Sequence, residues 1–215
     1  MRMLKKIISI LLFITCFISA NAQVPKGFNL LSNETEFREK LLAVSNSTQS
    51  IKSNFTQEKN LNVLSEKITS KGEFRFKKLN KVRMEYTSPF KYLLIINGDK
   101  ITIKDDQKTN SFSSKSNKLF AVINNIVLDC VQGTALENKD FTKKIYKTDK
   151  EYLLILSPQK KELKEFFNSI NIYLDAKDCS VIKLDMLEST GDNTLITFTN
   201  KEYNVTIPDA VFISN

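Results

Sequence analysis

The chain predicts a mainly β (α+β) protein: an open, incomplete antiparallel barrel of about eleven strands with helices on its concave side. Three observations carry this. Short segments of period-two alternation recur from Ser50 to Phe198. Turn signals such as Asn97-Gly98, Asp175–Asp178 and Gly191-Asp192 separate them at hairpin spacing. Only two stretches carry helical spacing. A sheet of so many strands curls rather than staying flat. Two helices with apolar stripes and no helical partners then find their contact inside the curl.

The elements follow in order. Arg2, Lys5 and Lys6, the apolar run Ile7–Ile18, and Ala20-Asn21-Ala22 read as a signal peptide, residues 1–22, cleaved before Gln23. The run is too short for a spanning helix. Lipid attachment at Cys16 is the rival reading, but Phe13-Ile14-Thr15 makes a poor lipobox. Residues 23–215 then form one domain, exported to the periplasm in a double-membrane bacterium. Asn33 reads as a helix N-cap with Glu36 at the capping-box position, and Phe37, Leu41 and Val44 give a helical stripe over about 34–46. Strands are expected from Ser50, over Lys71–Lys77, Val82–Tyr86 and Tyr92–Ile96, and through Ile101 and Ile103. Ser113–Lys118 reads as a polar loop, and Leu119–Ile123 with Ile126–Leu128 as a second, strongly apolar helix. Strands resume over Phe141–Tyr146, Tyr152–Leu156, Phe166–Leu174, Val181–Leu187 and Thr194–Phe198, and Asn204–Phe212 closes the chain in extended form.

The strand Tyr92–Ile96 is apolar on both faces, unlike Val82–Tyr86 before it, which alternates with Arg83 and Glu85. Its inner face should meet the helices, or whatever lies between them and the sheet, and its outer face neighbouring segments.

Composition excludes much. The chain has no histidine, which removes Ser-His-Asp and Cys-His catalysis and nearly all catalytic zinc sites. No nucleotide-binding glycine motif occurs, and five glycines are too few for a phosphate-cradling loop. Paired carboxylates such as Asp105-Asp106 could serve a glycosidase, but there is no tryptophan to stack on sugars, and they read as turn and surface residues. We expect no catalytic residues, no metal and no cofactor. The formal charge of +8 falls to +5 without the signal peptide, and the basic residues are scattered among acidic ones, so nucleic-acid binding gains no support. Cys130 and Cys179 remain after processing. They read equally as a disulfide or as two buried free thiols.

Ser53-Asn54-Phe55-Thr56-Gln57, Gly72-Glu73-Phe74, the strand Val82–Tyr86, Thr87-Ser88-Pro89, and Leu94-Ile95 with Asn97-Gly98-Asp99-Lys100 resemble the LolA-type periplasmic outer-membrane lipoprotein carriers. Leu163-Lys164 through Leu174, the Gly191 turn and Ala210-Val211-Phe212 keep the family's order. The resemblance implies an eleven-stranded open barrel whose helices form a lid over an apolar cavity. It implies acylated lipoproteins as cargo, an inner-membrane lipoprotein-release ABC transporter as donor, and an outer-membrane receptor, or the outer membrane itself, as acceptor. A monomer is expected. Where the family often has Arg-Pro, with the arginine holding the lid shut, this chain has Lys78-Leu79. Lysine can donate to the same carbonyls but lacks the planar fork, so Lys78 is the lid-control candidate.

An acyl chain gains about 0.8 kcal/mol per CH₂ on leaving water, so a carrier needs an apolar but imperfectly filled cavity. The expected lining is Phe74, Phe76, Val82, Met84, Tyr86, Leu94 and Ile96, with lid residues Leu119, Phe120, Val122 and Ile123. The alternatives are a paralogous lipid or glycolipid carrier or sensor on the same fold, an interaction module with a filled core, and a hydrolase.

Overall fold

The computed structural model describes residues 24–116, 122, 125, 126, 128, 129 and 133–214. The expected signal peptide, Leu119, Phe120, Ile123 and Cys130 lie outside these residues. Among the described residues, twelve strands form one antiparallel sheet that does not close on itself. In chain order they are β1 (Asn29–Leu30), β2 (Ser50–Leu61), β3 (Glu66–Lys77), β4 (Lys81–Ser88), β5 (Tyr92–Asn97), β6 (Lys100–Lys104) and β7 (Thr109–Ser113), then β8 (Phe141–Lys147), β9 (Glu151–Pro158), β10 (Phe167–Asp175), β11 (Val181–Glu188) and β12 (Asn193–Tyr203). The sheet order is β1-β8-β9-β10-β11-β12-β2-β3-β4-β5-β6-β7. The last strand therefore pairs with the second and joins two meanders, β2–β7 and β8–β12, into one sheet, with β1 on the edge beside β8. The sequence reading misses two strands, because β1 has two residues and β7 (Thr-Asn-Ser-Phe-Ser) lacks an apolar alternation, and it counts the C-terminal segment as one that does not form.

Helix α1 (Thr35–Ser47) forms where the Phe37 and Leu41 spacing predicts it, and Asn33 Oδ1 accepts from Thr35 N–H at its start (3.0 Å). The four-residue helix α2 (Lys161–Lys164) precedes β10 and has too little periodicity to be read from sequence. Val122, Asn125, Ile126, Leu128 and Asp129 are helical, and Ile126 and Leu128 are buried in the main core. That core unites Phe37 and Leu41 with inward residues of β2 to β6 and β8 to β12, so α1 lies on the face where the sheet's apolar side chains converge.

The double-faced strand β5 has two different covers. Leu94 and Ile96 join the main core, while Ile95 on the other face packs with Ile207 and Phe212 of the C-terminal segment. That segment is not an extended strand, as the sequence reading had it. After Asn204 it leaves the sheet and ends in a 3₁₀ turn, Asp209–Phe212. Polar groups strap it down: Lys77 Nζ donates to Ile207 O (2.9 Å), and Arg83 donates to Val211 O (3.0 Å). On the other half of the sheet, Leu153, Ile155 and Tyr173 are covered by Val24 and Phe28 of the N-terminal segment. Each end of the chain thus shields one apolar patch on the outer face.

Gly72 is required by close approach. A Cβ there would sit 2.1 Å from Glu85 O and 2.8 Å from the Phe55 ring. Phe55 is nearly inaccessible and packs edge-on against Tyr86, with ring centroids 4.9 Å apart.

Candidate functional site

The face of α1 changes in size along its length. Phe37 and Leu41 are large, while Val44, Ser45 and Thr48 are small. Under Phe37 the molecule is filled: the Phe37 and Tyr152 rings lie 4.5 Å apart. Under the small ones lies a cavity of about 90 Å³. Its roof is Leu41, Val44, Ser45 and Thr48. Its floor and walls come from β2 (Ile51, Ser53), β3 (Phe74), β4 (Met84), β11 (Val181, Leu184) and β12 (Ile196, Phe198), with Phe74 and Phe198 in edge-on contact at 5.4 Å. Cys179, Ser180, Lys201 and Tyr203 complete the lining.

A β-bulge decides what stands among these last residues. Thr199 pairs with Asn54 and Glu202 with Lys52, so β12 spends three residues where β2 spends two. Asn200 takes the left-handed conformation (φ 52°) that this extra residue needs. Ile196 and Phe198 face the cavity by ordinary alternation, which would next bring Asn200 and Glu202 inward. After the bulge the parity is reversed. Lys201 and Tyr203 face the cavity, and Glu202 turns outward to pair with Lys52 (3.3 Å).

Lys201 Nζ donates to Ser180 Oγ (2.6 Å) and Val181 O (3.3 Å). Burial pushes its pKa down, and Asp178 and Asp175 partly offset that. Those two carboxylates are occupied by their own turn: Asp178 accepts from Ser180 N–H (2.8 Å) and Asp175 from Lys177 N–H (2.7 Å). Burial raises the Tyr203 phenol, against a lowering hydrogen bond with Ser180. Cys179 is a buried free thiol in the structure, raised by burial; its proposed partner Cys130 is outside the described residues.

Of the residues read from sequence as cavity lining, Phe74 and Met84 border the cavity. Phe76, Val82, Leu94 and Ile96 point to the same side but are buried among other side chains of the main core, and Tyr86 and Val122 are half-buried against it. They lie towards β5 and β6, where the core is filled. The Tyr86 hydroxyl donates to Gln57 Oε1 (2.9 Å), and burial pushes its pKa to about 12. Sequence reasoning missed the β11 and β12 walls, although the alternation of Ile196 and Phe198 marked one of them as a face.

Lys78 stands at the β3–β4 turn, and its Nζ donates to Asn46 O in the last turn of α1 (2.8 Å). Its backbone N–H donates to Gln49 O (2.9 Å). Leu79 and Asn80 both have positive φ (71° and 61°), which a proline at position 79 could not adopt. The opposite side of α1 is held by Lys40 Nζ on Ala176 O (2.6 Å). Among the described residues no group of three or more His, Cys, Asp or Glu is placed to bind a metal, and no helix is long and apolar enough to cross a membrane.

Residues 46–214 match the family described as outer membrane lipoprotein carrier protein LolA. The chain belongs to this family. An uncharacterized conserved protein from Thermus thermophilus is similar in structure at TM-score 0.50, with 8% identity over 84% of this chain and 93% of that one. A LolA superfamily protein from Nitrosomonas europaea gives TM-score 0.44 and 9% identity, covering 82% and 97% of the two chains. Lipoprotein LppX from Mycobacterium tuberculosis gives 0.42 and 9%, covering 79% and 95%. At such identities the likeness is one of fold alone. No curated protein matches the chain. By its description the matched family is one of outer-membrane lipoprotein carriers.

Proposed function

We propose that residues 1–22 direct export and are removed, and that residues 23–215 act in the periplasm as a monomeric carrier. The carrier takes acyl chains of lipoproteins into the cavity beneath α1. It receives them from an inner-membrane release transporter of the ABC class and passes them to an outer-membrane receptor or to the outer membrane itself. The supporting observation is the cavity: walls almost wholly of hydrocarbon, under a roof made by one helical turn of small side chains. An apolar cavity of about 150 Å³ takes up one benzene. At about 90 Å³, this one admits only a short length of chain until the roof lifts. Among the described residues that roof is held by Lys78 on Asn46 O, Lys40 on Ala176 O, the anchors Phe37 and Leu41, and Gly133 packed close against Leu41 and Ser45. A shallow, partly open site suits a carrier, because a chain bound more tightly than in a membrane would never be delivered.

The test uses the mature protein and a purified triacylated lipoprotein freed of detergent. A soluble one-to-one complex is expected on size exclusion. Val181→Glu, which places a charge in the wall, should abolish it while leaving far-ultraviolet circular dichroism unchanged. Lipoprotein that sediments with or without the protein would refute the reading. A second reading, a carrier of a different lipid on the same fold, is favoured by Lys201, since a diacylglyceryl group carries no charge for it to meet. Mass spectrometry of ligand that co-purifies separates the two.

A further inference from the structure

The cavity contains two polar features that a store for bare hydrocarbon has no use for. Among the described residues Ser53 Oγ has no hydrogen-bond partner, although Ser53 is only 2% exposed and borders the cavity. A buried hydroxyl without a partner is unfavourable, because folding strips away its water and returns no hydrogen bond. Lys201 is the second. Among the described residues no carboxylate lies within ion-pairing distance of its ammonium, whose contacts are a hydroxyl and a backbone carbonyl. The two are neighbours by register: Ser53 lies on β2 between Asn54 and Lys52, opposite the extra residue of the β12 bulge. The same bulge turns Glu202 away, which removes the one carboxylate that regular alternation would have aimed inward.

We infer that Lys201 and Ser53, with Ser180 and Tyr203 beside them, form a subsite for an oxyanion, the carboxylate or phosphate head of an amphiphile whose chain enters the apolar cavity. This rests on the reading of the cavity as an acyl-chain site. An incoming anionic oxygen supplies the direct ion pair that Lys201 does not make with Asp178 or Asp175, and an acceptor for the Ser53 hydroxyl. Both groups are half-buried or buried, so the contact is less screened by solvent than a surface ion pair. The hydrocarbon walls then take the chain, and the head sets its direction.

The experiment measures displacement of a neutral pyrene-labelled monoacylglycerol from the mature protein by palmitate, hexadecyl phosphate and monopalmitoylglycerol. At least one of the two anions is expected to bind tenfold or more tightly than the neutral lipid. Preference for palmitate alone assigns a carboxylate, preference for hexadecyl phosphate alone a phosphate, and preference for both a general oxyanion site. Lys201→Met should abolish the preference without weakening the neutral lipid, and Lys201→Arg should retain most of it. Ser53→Ala should lower anion affinity several-fold while leaving the unfolding midpoint of the ligand-free protein unchanged or higher; it also serves if Lys201→Met fails to fold. Equal affinities for the three lipids in the unaltered protein, or a preference that survives both variants, would overturn the subsite and leave the cavity standing. Failure of every lipid to bind would overturn the cavity with it.

Discussion

Phe37 and Val44 lie two turns apart on one face of α1, yet Phe37 is wedged against Tyr152 and Val44 borders open space. The sheet beneath is continuous, and most of its inward residues are apolar in both places, Ser53 and Lys201 in the hollow being exceptions. What differs is the volume the helix brings. Over β9 it supplies the Phe37 ring, against Tyr152; over β2, β3, β4, β11 and β12 it supplies Leu41, Val44 and Ser45, with Thr48 just past its end. Interiors fill to near-crystal density only when the facing elements supply matching volume. A helix that thins along its length therefore leaves a hollow at one end, without any change in the sheet.

Breaking the filled half should cost most. Phe37→Ala is expected to lower unfolding free energy by about 3–5 kcal/mol, read from urea denaturation, because the vacated space cannot collapse against the rigid sheet. Phe198→Ala, of the same chemistry in the hollow half, should cost well under half as much, since its ring already borders a void. Equal losses would erase the distinction.

A smaller effect concerns alkaline stability on the filled side. The Tyr86 phenol is pushed from its ordinary value to about 12, first by burial and then by Tyr92. It folds best when neutral, so its contribution is complete below pH 10 and is lost as pH rises from about 10 to 12, amounting to roughly 2–3 kcal/mol. Tyr86→Phe should flatten the fall in denaturation midpoint between pH 9 and pH 12. An unchanged slope would place the alkaline sensitivity on other tyrosines.

Filling the hollow should change stability little and function much. Val44→Phe is expected to shift the unfolding free energy by less than about 1.5 kcal/mol, because the added ring enters free space. It should also weaken binding of a neutral pyrene-labelled acylglycerol tenfold or more. The smallest change is expected for Lys78→Met, which removes one exposed hydrogen bond to α1. It should cost about 1 kcal/mol or less, but speed lipid release in a stopped-flow experiment, since the bond holds the roof rather than the filled half.

Much of the candidate site was hidden from sequence for identifiable reasons. Phe74 and Met84 were legible because they alternate cleanly on adjacent strands. Phe76, Val82, Leu94 and Ile96 follow the same rule and face the same side, but periodicity does not say whether the far side is filled. The cover of β5 was legible only as a need. That Ile207 and Phe212 meet it depends on contacts more than a hundred residues apart in the chain.

What the chain's letters determined alone are ten of the twelve strands, α1, the antiparallel meander and membership of the carrier family, because alternation, helical spacing and turn chemistry act between near neighbours. Only tertiary structure decided where the hollow lies and which side chains look into it. The hollow is a difference in volume between α1 and strands distant in sequence, and Lys201 enters it because one extra residue at Asn200 reverses the parity of β12, a shift that alternation read along a single strand cannot reveal.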